Sequence, residues 1–415
     1  MRSNRSKPYT KHQTLNPKPQ TPNTIHHTLT TNHQTLNILF YAPFKPLGHQ
    51  HPSGDLVIGT GLFAFLAAKG HRLQVASFLR TRWIFWKPWM LPHLLAERGR
   101  LLRRLHPGVS DLWLTYHAYY KGPDLLGPFV AARKGIPYVV FQGAYATKYR
   151  RDFRTLPGFY FNRKSLQAAQ HVFVNKKVDL INLKRLLPPE RISYAAPGIC
   201  PTDFRFDSNR RTELRSQWRS DDGPILLTAA MLRPGVKAQG VAWVIRACGS
   251  LLRRGHNLNL VVVGDGEEAG ALQRLAEAQI PGKCRFVGKI PRPEMFHYYS
   301  AADLFVFPGI GESLGMVFLE AQSCRLPVVA FDNAGVPEVV ENGKTGVLTP
   351  SNEMSPFVQA VEDLIRNPGR RREMGSAAEK YIRRERDLSI NYAAVEKELK
   401  EIVATKGSSR IFHLK

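Results

Sequence analysis

Two glutamates, Glu312 and Glu320, bracket seven residues in the stretch PGIGESLGMVFLEAQ at 308–322, and Gly309, Gly311 and Gly315 crowd around the first. A glycine-rich turn running into a helix suits an anion. The first N–H groups of the helix lack partners, and the helix dipole is positive at that end. Gly311 and Gly315 let the backbone approach a ligand, and Ser313 is a residue type that caps helices, here one expected over Leu314–Ser323. A diphosphate on this turn would meet the amides of Ser313, Leu314 and Gly315. Carboxylates cannot ligate a phosphate, so two glutamates there serve to accept hydrogen bonds from hydroxyl groups on either side of it. A helix rises on the order of 12 Å from residue 312 to residue 320. That is about the span from a hexose, across a diphosphate, to a ribose. The same spacing also fits a helix-start glutamate favoured by the dipole and one buried, partnered glutamate, with no ligand at all.

The elements that must position these residues alternate. LNILFYAP (36–43), RLQVASF (72–78), DLWLTYH (111–117), YVVFQG (138–143) and HVFVN (171–175) are expected as buried strands, with helices such as 55–70 and 124–135 between them. The rhythm resumes after residue 222 with PILLTAAM, NLVVVGDG, CRFVGKI, LFVFPG, PVVAFDN and TGVLTP. Strand–helix alternation implies parallel sheets wound right-handed, and two series imply two Rossmann-like domains facing a cleft, with ligands at the strand C-termini. The expected organisation is a disordered low-complexity tail at 1–36, a first domain at 37–204, a polar linker at 205–222, a second domain at 223–385, and a final helix and tail at 386–415.

Composition narrows the class. A chain of 415 residues is too long for one typical core, and 43% hydrophobic with 22% charged residues describes a globular protein. No run reaches the roughly 20 apolar residues of a membrane span, and the N-terminus lacks the apolar core of a signal peptide. Cys200, Cys248, Cys284 and Cys324 stand far apart, which argues against a zinc site or a disulfide framework and fits a cytoplasmic protein. No Asp-x-Asp follows a strand, so no metal is expected in the site. Charge is uneven: residues 1–200 hold 29 Lys+Arg against 7 Asp+Glu, and residues 201–415 hold 30 against 26. The first half is thus suited to an anionic partner. Its segment 79–108 places Trp83, Trp86 and Trp89 ahead of Arg98, Arg100, Arg103 and Arg104. That pattern suits an anionic membrane face or an anionic glycan, and equally core tryptophans beside a solvated basic face.

The segment 308–350, PGIGESLGMVFLEAQSCRLPVVAFDNAGVPEVVENGKTGVLTP, resembles the donor-binding half of the family 4 glycosyltransferases, retaining enzymes of the GT-B fold. The likeness covers the second half well and extends more loosely over 37–222, with FVNKKVDLINLKRLLPPERISYAAPGICPTDF (173–204) matching the approach to the linker. The resemblance implies that Glu320 grips the ribose, that Glu312 contacts the transferred sugar, and that amides from Glu312 to Gly315 cradle the diphosphate. It implies a basic pair on the turn AAMLRPGVKAQG (229–240): Lys237 matches the lysine, while Met231 occupies the usual arginine position and Arg233 follows two residues later as the expected substitute. VGKI (287–290) resembles the base-binding segment, with Ile290 near the nucleobase. In LGHQHPSGD (47–55) Gly54 lines the cleft, with Ser53 where a second glycine is usual, and His117, ending a strand, faces donor sugar and acceptor.

The expectation is a metal-independent hexosyltransferase with no cofactor. It would move a sugar with retention from a UDP- or GDP-sugar to a glycan or lipid-linked acceptor in cell-surface polysaccharide or glycolipid synthesis. It would be cytoplasmic, peripheral on the inner membrane face through an anionic surface, and without nucleic acid. A sugar-nucleotide epimerase or hydrolase of the same architecture, and a polyanion-binding protein suggested by charge alone, are the competing readings.

Overall fold

A computed structural model describes residues 35–47, 54–106, 108–218 and 223–412. The tract read as a disordered tail lies outside the described residues apart from Thr35 and Leu36, and so do His49 and His51. The first six strands are β1 (Asn37–Tyr41), β2 (Arg72–Ser77), β3 (Leu112–Tyr116), β4 (Tyr138–Phe141), β5 (His171–Val174) and β6 (Ile192–Tyr194). They form one parallel sheet in the order β2-β1-β3-β4-β5-β6. The next six are β7 (Ile225–Ala229), β8 (Asn259–Val263), β9 (Cys284–Phe286), β10 (Leu304–Val306), β11 (Val328–Phe331) and β12 (Gly346–Thr349). Their sheet is also parallel, ordered β12-β11-β10-β7-β8-β9.

Why these runs are strands follows from their burial. β3 and β7 are buried at every residue, because crossover helices cover both sheet faces. Successive residues then feed opposite cores: Trp113 packs with Tyr138 and Val140 on one face, Leu114 with Val139 and Phe40 on the other. A third core encloses the second sheet. In each sheet the strand order reverses once, between β1 and β3 and between β7 and β10. The loops that leave those strand pairs diverge and open a crevice at each switch point.

The polar segment 205–222 contains a helix, Ser208–Trp218. Its Arg211 and Arg215 pair with Asp303 at 2.5 and 2.9 Å, and Asp303 accepts from the Ile225 amide at 2.8 Å. The arginines thus anchor the start of the second sheet; sequence periodicity gave no sign of this, since the helix buries no residue.

The last helix, Leu388–Phe412, returns to the first sheet's side. Tyr392 donates to the Ile58 carbonyl at 3.0 Å, Glu396 faces His71 at 3.2 Å, and Glu398 meets His171 at 2.9 Å. Farther along the seam, Glu338 accepts from the Lys177 amide with both oxygens at 3.0 Å and from the Tyr194 hydroxyl at 3.1 Å.

Candidate functional site

The crevice between β7 and β10 is built by two turns. After β10, Gly309, Gly311 and Gly315 all adopt left-handed φ, near 70°, 63° and 65°. At Gly315 a Cβ would lie 2.5 Å from Val339 Cγ2, so both conformation and space demand glycine. The Glu312 amide donates to the Gly309 carbonyl at 2.9 Å, and the Glu312 carbonyl accepts from Gly335 at 2.9 Å, which pins the turn. The helix it feeds spans Met316–Ser323 with Gly315 as N-cap, and no side chain caps it. The expected start at Leu314 and the expected Ser313 cap are therefore corrected. The left-handed Gly315 breaks the helical run one residue later and sends Leu314, 4% exposed, into the apolar cluster of the first sheet. The amides past the turn still open the helix toward the crevice.

After β7, the helix Val236–Arg253 brings Lys237 into the same crevice. Its Nζ pairs with Glu312 Oε2 and lies 5.4 Å from the centre of the Phe307 ring. Two residues 75 apart in sequence thereby form one charged pair at the switch point. Arg233 is exposed, and its Nη2 donates to Met231 Sδ at 3.2 Å. Met231, rather than Arg233, lines the adjoining cavity.

That cavity, of about 340 Å3, is walled by Met231, Val263, Ile290, Met316 and Val317, with Glu320 among the lining residues. Glu320 is 6% exposed. Arg292 Nε donates to its Oε1 at 2.8 Å and the Tyr299 hydroxyl to its Oε2 at 3.1 Å. Burial raises its pKa above the ordinary carboxylate range, with Arg292 pulling the other way. A carboxylate offers about four lone-pair sites, so capacity remains beyond these two bonds. Val57, near the start of the helix that Gly54 opens, completes the wall from the first half of the chain. Arg292 and Tyr299 were missed in the sequence because they precede Glu320 by 28 and 21 residues, with no local pattern tying them to it.

On the other side, His117 follows β3 at that sheet's own switch point, with φ of 59°. Its ring stacks on Tyr119 at 4.8 Å and meets Phe44 edge-on at 5.4 Å. It lines a second cavity of about 680 Å3, whose wall also includes Ser313 from the turn after β10. His117 and the glutamate turn thus share a cleft. Among the described residues no three His, Cys, Asp or Glu side chains gather as metal ligands. The aromatic segment divides: Trp83 packs against Phe85 and Tyr120, whereas Trp86 and Trp89 are 48% and 66% exposed. In the helix Leu91–Arg104, Arg98 donates to the Leu125 carbonyl and Arg100 to Glu97, which leaves Arg103 and Arg104 as its exposed arginines.

Residues 210–381 match the family model described as glycosyl transferases group 1. An alpha-D-kanosaminyltransferase from Streptomyces kanamyceticus is 31% identical over 307 residues, covering 71% of this chain and 77% of that protein. The chain belongs to the group 1 glycosyltransferases. A second relative in this family is a GDP-mannose-dependent alpha-(1-6)-phosphatidylinositol monomannoside mannosyltransferase from Mycolicibacterium smegmatis. It is 33% identical over 198 residues, which cover 46% of this chain and only 51%, about half, of that relative's length. Sucrose-phosphate synthase from Thermosynechococcus elongatus superposes with a TM-score of 0.69 at 18% identity, over 89% of this chain and 100% of that one. The two parallel six-stranded sheets of this group 1 glycosyltransferase are the GT-B fold.

Proposed function

We propose that this chain transfers a hexosyl group from a UDP- or GDP-sugar to a glycan or lipid-linked acceptor, with retention of anomeric configuration. The observation that carries the reading is the arrangement at the β7–β10 switch point. The Lys237–Glu312 pair sits beside open helix amides, one end of a helix away from Glu320 in its apolar pocket. In this reading the nucleobase packs on Ile290 and Met231, and the ribose hydroxyls donate to Glu320. The diphosphate lies over the amides of Ser313 to Gly315. Lys237 exchanges its bond to Glu312 for the diphosphate, freeing Glu312 to accept from the sugar hydroxyls. Departure of the nucleoside diphosphate builds charge on its terminal oxygens, which a fixed ammonium and oriented N–H groups stabilise without reorganising. The departing phosphate takes the acceptor proton on the face it leaves. His117 borders the sugar on the acceptor side, and Arg233 adds positive potential at the rim. No metal and no resident cofactor enters the scheme.

The first domain binds the acceptor and presents a docking face to the cytoplasmic leaflet. Support comes from its excess of cations and from its exposed Phe78, Trp86, Trp89, Leu91, Leu95 and Phe153. Among the described residues no helix is long and apolar enough to cross a membrane.

The test is thermal unfolding with UDP, GDP, ADP and TDP, on the native chain and on Glu320→Gln. A nucleotide at about 100 times its Kd adds roughly 2.7 kcal/mol of stability. One nucleotide is expected to raise the midpoint, and Glu320→Gln to shrink that rise. No response to any of the four would refute the donor assignment.

A further inference from the structure

The larger cavity carries a chemistry that a donor site does not require. Lys121, Lys148 and Lys176 line it, and Asp179 is the single acid among its lining residues. Burial pushes the Asp179 carboxyl up to about 6, with Lys176 opposing. Even with Asp179 ionised, the lining keeps two positive charges in excess. Two of the lysines rest on aromatic faces: Lys121 Nζ is 5.6 Å from the Tyr120 ring centre, and Lys148 Nζ is 5.3 Å from that of Tyr149. A ring quadrupole holds a cation more weakly than a carboxylate does, so these ammonium groups remain open to an anion.

The same cavity carries features suited to a sugar or cyclitol ring. Tyr120 and Tyr149 stack at 3.7 Å and 22°, forming an aromatic wall. Asn162 is 2% exposed, and its Nδ2 donates to the Ala144 carbonyl at 2.8 Å. Its Oδ1 has no hydrogen-bond partner among the described residues. A buried acceptor atom left unfilled is costly, and a ligand hydroxyl would satisfy it. Ser313 on the glutamate turn borders the space, so its occupant would lie next to the sugar end of the donor.

We infer that this cavity binds a phosphorylated acceptor, a sugar or cyclitol phosphate ester, with the phosphate held by Lys121, Lys148 and Lys176 and the ring set against Tyr120 and Tyr149. The inference rests on the transferase reading for the role of the occupant as acceptor. Binding itself is tested without a donor. A neutral glycan would leave three ammonium groups facing carbohydrate, whereas a phosphate ester matches them in charge and in hydrogen-bond acceptors.

The experiment is titration calorimetry on the full chain with glucose 6-phosphate and myo-inositol 1-phosphate, against glucose and myo-inositol. Sedimentation with phosphatidylinositol vesicles, against phosphatidylcholine vesicles, runs in parallel. The expected result is at least tenfold preference for a phosphorylated probe over its neutral counterpart. Lys148→Gln and Lys176→Gln should each lower that affinity about fivefold or more. Binding of the soluble esters assigns a free phosphate ester. Binding of phosphatidylinositol vesicles alone, lost in the lysine variants, assigns a lipid headgroup. Equal affinity for phosphorylated and neutral probes, binding of neither, or binding indifferent to both lysine substitutions overturns the inference. The nucleotide-induced rise in unfolding midpoint, measured on the same variants, reports separately on the donor reading.

Discussion

Replacing Lys237 by Met separates the ion pair that the structure shows from the catalytic role proposed for the same side chain. Without ligand, Lys237 Nζ is paired with Glu312, and the two side chains are 30% and 16% exposed. Removing the ammonium strands a mostly buried carboxylate, at a cost of about 1–3 kcal/mol of folding stability. In the proposed donor complex, the same ammonium faces the diphosphate as the bond to the sugar breaks. Losing one preorganised donor of this kind costs about 100- to 1,000-fold in turnover, or about 2.7–4 kcal/mol. The double variant Lys237→Met/Glu312→Gln distinguishes the effects, because it removes both charges and leaves nothing stranded. Its urea midpoint should recover most of the stability, while turnover, read as nucleoside diphosphate released from the donor found in the nucleotide screen, stays at or below that of Lys237→Met. Recovery of both in the double variant, or a Lys237→Met enzyme within fivefold of the native turnover, would refute the reasoning. Either result would make the pair a structural contact alone.

Gly335→Ala puts a Cβ 2.2 Å from the Ser313 carbonyl oxygen, so the glutamate turn must shift. The expected cost is about 1–3 kcal/mol in urea unfolding, with loss of the nucleotide-induced rise in midpoint. Asp179 gives a pH signature: its folded pKa of about 6 exceeds the unfolded value of about 3.9, so its stabilising contribution is present below that lower value and is lost as pH rises through 6. Against Asp179→Asn, the native chain should lose thermal stability between pH 4 and pH 6.5; parallel curves would contradict that. Trp89→Ser and Phe153→Ser, at side chains 66% and 69% exposed, should each weaken sedimentation with anionic vesicles roughly tenfold, about 1.4 kcal/mol, and leave the unfolding midpoint unchanged. Unaltered vesicle binding in both variants would remove the docking face.

Local regularities in the chain carried a great deal. Strands buried on both faces read as short apolar runs, and eleven of the twelve strands among the described residues fall within the runs singled out; β6, only Ile192–Tyr194, is too short and too polar to stand out. The glycine-rich turn is likewise local, but Glu312 stands in that turn, outside the helix Met316–Ser323 that carries Glu320, so a helical rise does not set the distance between the two glutamates. What tertiary structure decided lies across crossovers. Lys237 reaches Glu312, and Arg292 and Tyr299 reach Glu320, only because β7, β9 and β10 with their helices stack in a particular order. The fate of the three tryptophans also required the fold, because a spacing of three residues does not state which side meets the core. The helix start at Met316 depended on a left-handed Gly315 that packs against Val339, a contact between segments with no shared period. Periodicity encodes the direction of a side chain relative to its own element; which element lies opposite is set by the packing of the whole sheet.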